Sequence, residues 1–160
     1  MLLTRVRLLV AALWAGSLWT LGYLVAPTAF ASFERPMAGA VAAAMFHSGA
    51  MLSLGCGAAM LLLLFVAKGL DARRRRGLML LVLAMVGCTL VSHFGLQPLM
   101  AALRAGAVDG VMVGDAKARF GMLHGVSSVI YLIQSVLAGW LIIKNAEAKN
   151  NKSELSNKTN

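Results

Sequence analysis

Carboxylates are scarce in this chain. Six Asp and Glu stand against fifteen Lys and Arg, and no acidic residue lies within a long apolar run. A carboxylate at membrane depth marks a proton relay or an ion path, so this scarcity argues against a coupled transporter. Charged residues of both signs make up 13% of a chain that is 59% hydrophobic, too little to clothe a soluble globule of 160 residues. Most of the surface must therefore face lipid. Cysteine is limited to Cys56 and Cys88, each inside an apolar run, which leaves neither a disulfide framework nor a CxxC metal site. Motifs of the GxSxG, phosphate-loop and HExxH kinds are missing, and so is an inverted repeat with broken spans. No catalytic residue can be named. The ten methionines show no MxxM repeat and read as filler for irregular gaps rather than a Cu(I) ladder.

What the chain does have is apolar length. A helix needs about 20 apolar residues to cross a hydrocarbon core of about 30 Å. Four runs qualify, at about 8–30, 40–67, 77–100 and 120–143. The expected fold class is all-α, a membrane-spanning up-down four-helix bundle over residues 1–144. The first run is longer than the core of a secretory signal, about 7–15 residues, so a retained anchor is expected despite the small-residue site Ala29-Phe30-Ala31. Pro36 suits a helix start. The stretch from Gly106 to Arg119, with Asp109, Gly110, Gly114 and Asp115, reads as a loop. Residues 145–160, NAEAKNNKSELSNKTN, hold one Leu and read as a disordered tail.

The net charge of +9 is a matter of orientation rather than of nucleic-acid binding, because the basic residues cluster at the ends of the runs. Eleven lie on one side, from Arg5, Arg7, Lys68, Arg73 to Arg76 and Lys144 into the tail; four lie on the other, Arg35, Arg104, Lys117 and Arg119. The excess places both termini and the middle loop in the cytoplasm of a multi-pass protein of the bacterial inner membrane. The lipid bilayer is the expected partner, and anionic lipid meets the basic loops. The patterns Gly49-x-x-x-Ser53-x-x-x-Gly57, Gly121-x-x-x-Gly125 and Ser135-x-x-x-Gly139 let helix backbones approach, within one bundle, in a homo-oligomer or against a larger membrane protein.

Three histidines share a depth. At about 1.5 Å per helical residue, His47 lies about 31 Å from Lys68, His93 about 26 Å from Arg76 and His124 about 30 Å from Lys144. All fall near the face opposite the basic one, with Tyr23, Gln97 and the Glu34-Arg35 pair. Imidazole ligates copper, zinc and haem iron, so His124, His93 and His47 are the candidate metal ligands, with Tyr23 and Ser128 beside them in a small-molecule site. The same layer is where amphipathic His and Tyr sit at a lipid–water boundary without any ligand. His124 stands next to Gly125, Ser127 and Ser128 on a small, polar face. Two function classes follow: a binding or transport-accessory protein with a periplasm-facing histidine site for a metal, haem or small molecule, and a scaffold subunit packed against a membrane partner.

The segments WAGSLWTLGYLVAPTAF and ERPMAGAVAAAMF, a third span ending in Gln97-Pro98, and FGMLHGVSS opening the fourth resemble the family of domain of unknown function 4149, whose animal members are similar to transmembrane protein 205. Phe120, His124, Gly125, Ser127 and Ser128 carry the most specific part of the likeness; Trp14, Gly16, Trp19, Pro27 and Phe30 fit more loosely. Where family members often have an Asn after this motif, the chain has Tyr131 or Gln134. The resemblance implies a four-span membrane protein, with animal relatives linked to platinum-drug resistance and trafficking. A more distant likeness to copper resistance protein D-like and haem-handling membrane proteins implies copper or haem at the histidine layer.

Overall fold

The computed structural model describes residues 2–67, 69–107 and 112–158, with side chains described as far as Glu147. Lys68, Asp109 and Gly110, named above as a boundary charge and loop residues, lie outside the described residues, as do the side chains of Lys149, Lys152 and Lys158.

Among the described residues, four helices are long and apolar enough to cross a membrane: α1, Leu2–Ser32; α2, Arg35–Val66; α3, Ala72–Ala105; and α4, Gly114–Lys158. Each has a local cause. Glu34 precedes α2 in non-helical backbone, and Pro36 fills a first-turn position where its missing N–H costs nothing. Asp71 caps α3 by accepting from the backbone N–H of Arg74 at 3.3 Å. Only Phe33 and Glu34 separate α1 from α2, so the two run antiparallel. Each helix packs on its neighbour in the chain and α4 closes against α1, which makes the fold an up-down four-helix bundle.

Two boundaries differ from the sequence reading. Residues 114–119 belong to α4 rather than to a loop: Gly114 turns the chain at φ 56°, and Asp115 in the first turn complements the helix dipole. The tail, expected to be disordered, continues α4 to Lys158. Propagating a helix from an anchored stem avoids the nucleation cost, and no Gly or Pro follows Gly139 to stop it.

Two stretches are π-helical, Thr20–Val25 in α1 and Val91–Leu96 in α3, and each ends just before a proline. Pro27 and Pro98 have no N–H and clash with the carbonyl four residues back, those of Tyr23 and Phe94. The ladder widens instead: Ala26 N–H reaches Leu21 O and Gln97 N–H reaches Ser92 O, each five residues back.

The core occupies one half of the bundle, the half nearer the basic end. Trp14, Met60, Leu64, Val82, Met85 and Leu141 are fully buried there, with Ala11, Ala15, Cys56, Leu78 and Ala138 around them. Gly57 admits Val86 and the Trp14 ring, Gly49 admits Leu21, and Gly139 lies against Trp19, so two of the three small-residue patterns mark real close approaches. Gly121 and Gly125 are different: a Cβ on either would meet nothing within 4 Å. No residue of α4 from Gly114 to Ile133 is buried.

Candidate functional site

Above the core, a belt of hydrogen bonds ties the helices together. Gln134 Nε2 donates to Thr89 Oγ1 at 2.8 Å, and Thr89 donates on to Met85 O at 3.2 Å, all buried. Trp19 Nε1 donates to Ser135 O at 3.3 Å, and Tyr131 donates its phenolic proton to Leu18 O. In lipid such bonds hold helices in register, because the polar groups have few other partners.

Tyr131 is the centre of the next layer. Its ring lies over Gly22 in the π-helical part of α1, where a Cβ would run into the ring. Phe46 meets it edge-on at 5.5 Å between centroids and Tyr23 at 6.4 Å. Sequence reading offered Tyr131 and Gln134 only as stand-ins for an amide. Both are structural anchors, and a lone aromatic or amide deep in a span is the signal that identifies them.

Beyond this aromatic layer the histidines divide. His47 on α2 and His93 on α3 lie with ring centroids 5.0 Å apart and planes inclined at 51°. His93 belongs to the π-helical stretch before Pro98 and also packs edge-on against Phe94 at 4.8 Å. The pair is reachable, with His47 exposed and His93 half-buried. His124 does not join them. It is exposed and stacks on Phe120 at 6.1 Å and 5°, one turn back on α4, and Arg104 covers the Phe120 ring at 5.8 Å.

The expected cluster of three ligating histidines is therefore a pair plus one histidine apart, and among the described residues no group of three or more His, Cys, Asp or Glu is placed to hold a metal. The reason is rotational. Rise per residue fixes depth, but the facing of His93 depends on the π-helical insertion, and His124 lies on the unburied half of α4. Ser128 donates to His124 O at 2.9 Å, a bond within its own helix, and Tyr23 is exposed against Tyr131 rather than against a histidine. Cys56 is buried and Cys88 half-buried, both free thiols. Two apolar grooves open on the surface, of about 490 and 710 Å³; no histidine lines either.

Four apolar spans closed into one bundle define a multi-pass integral membrane protein. Residues 9–109 match the family described as Domain of unknown function (DUF4149), and the chain belongs to that family. The matched segment includes Tyr23, His47 and His93 and stops before Phe120, so the His124-Gly125-x-Ser127-Ser128 motif stands outside it. No curated protein and no solved structure matches the chain.

Proposed function

We propose that this is an inner-membrane protein with both termini in the cytoplasm that holds a d-block metal ion at its periplasmic face, between His47 and His93, as a binding or transport-accessory protein. The observation that carries the reading is the 5.0 Å separation of the two rings. With a metal–nitrogen bond of about 2.0 Å and about 1.1 Å from ring nitrogen to centroid, two imidazoles on one tetrahedral ion have centroids about 5 Å apart. Two on opposite sides of a haem iron or a linear Cu(I) ion have centroids about 6.2 Å apart by the same sum. The spacing thus favours a tetrahedral ion, Zn²⁺ or Cu⁺, over haem. Two protein ligands leave coordination positions free. Such a site receives and releases an ion; a structural zinc site is closed by four protein ligands. The eleven-to-four division of basic residues supports the orientation.

Titrating detergent-purified protein with Zn²⁺, and with Cu⁺ under reducing conditions, tests this reading. One ion should bind per chain, His47→Ala and His93→Ala should each remove it, and His124→Ala should leave it in place. Binding that survives both of the first two substitutions refutes the site. In that event the scaffold reading leads, supported by the unburied half of α4 and by the groove lined with Ala12, Gly16, Ser17, Ala44, Ser48 and Gly49.

A further inference from the structure

Opposite the histidines, the basic end of the bundle holds a charge without an answer. Arg7 is the one fully buried arginine among the described residues, 1% exposed, and its Nε and Nη1 have no hydrogen-bond partner. A guanidinium does not shed its proton in a protein, so this charge stays. Arg74 of α3 is close enough to Arg7 for the two cations to repel, and it donates from Nη2 to Lys144 O of α4 at 2.9 Å. Asn145, also 1% exposed, donates to Leu141 O at 2.9 Å and leaves its Oδ1 unpartnered. No carboxylate among the described residues pairs with Arg7. Asp71 caps α3, and Glu147 pairs with Lys144 at 3.1 Å in the only ion pair among the described residues.

From this we infer that α1, α3 and α4 form a specific site for the phosphate group of an anionic phospholipid, with the guanidinium groups of Arg7 and Arg74 as its ligands. Guanidinium groups offer planar, forked donors that match phosphate oxygens, and an anion bound by both would offset the repulsion between them. The location favours a headgroup over a soluble anion: Arg7, Arg74 and Lys144 lie toward one end of the four apolar helices, and basic pockets between transmembrane helices are where lipid phosphates bind. The site is distinct from general attraction to the basic loop because it requires the buried Arg7, whereas Arg73 and Arg76 are exposed and contribute only to the surface field.

The test is lipid retention and thermal stability of the detergent-purified chain, with phosphatidylglycerol, phosphatidylcholine or inorganic phosphate added. The wild type should keep about one phosphatidylglycerol in native mass spectrometry and melt several degrees higher with that lipid than with phosphatidylcholine. Arg74→Gln should lose both effects, and so should Arg7→Gln; if Arg7→Gln does not fold, Arg7→Lys, which keeps the charge but not the fork, should bind at least tenfold more weakly. The double substitution Arg73→Gln, Arg76→Gln removes the same number of charges as both site substitutions together and should change neither effect. The proposal is overturned if that double substitution is as damaging as Arg74→Gln, if the two lipids act alike, or if inorganic phosphate alone reproduces the whole shift.

Discussion

At the scale of single residues, the glycines separate contact from open space. Gly57 sits where Val86 and Trp14 come in, whereas Gly125 has no neighbour within 4 Å of a Cβ. Gly57→Leu should destabilise the protein by about 1–3 kcal/mol, because a packed core resists added volume. Gly125→Leu should stay within about 0.5 kcal/mol of the wild type, as substitutions away from packed sites do. Melting curves in one detergent check both. Equal losses would mean that the outer half of α4 packs against something the bundle alone does not provide. The histidine pair adds a pH dependence. Imidazole ligates only when neutral, so bound Zn²⁺ should be released in acid. Retention at pH 4 would point to ligands other than imidazole.

At the scale of elements, the two π-helical stretches decide which side chains meet. Pro98 imposes the insertion that contains His93, so Pro98→Ala restores a donor, allows a regular ladder and turns His93 relative to His47. The expected result is a loss of metal affinity of at least about tenfold with no drop in melting temperature. A drop in melting temperature without a loss of affinity would assign the proline to stability instead. The helices themselves were legible in the sequence, since runs of apolar residues bounded by Arg, Lys and Pro36 can be little else in lipid. Depth was legible too, because it depends only on rise per residue. Facing was not: a π-helical turn shifts register by one residue, and neither Pro27 nor Pro98 reveals beforehand whether its helix kinks, breaks or widens. The continuation of α4 past Asn145 was equally hidden, because its stability comes from the anchored stem rather than from the polar residues.

At the scale of the whole molecule, packing and openness lie at opposite ends. The buried core around Trp14 and Met60 occupies the half nearer the basic residues, and the histidine half keeps few buried residues, chiefly Ala29, Ala38, Ala42 and Met100. A rigid base with an accessible far end suits an ion that must enter and leave. Reporter fusions after Ile143 and between Lys68 and Gly77 should behave as cytoplasmic, and one near Gly110 as periplasmic. Neutralising Arg73 to Arg76 together should disturb this arrangement more than any other charge change. Fusions reporting the reverse would move the histidine pair to the cytoplasmic face and end the periplasmic reading. The central claim, that His47 and His93 together hold one tetrahedral ion, is tested most directly by X-ray absorption at the zinc edge of the stoichiometrically loaded protein. The account predicts two imidazole nitrogens at about 2.0 Å, completed by light atoms from water or buffer. A shell with sulfur, with fewer than two imidazoles, or with a third from His124 would contradict it.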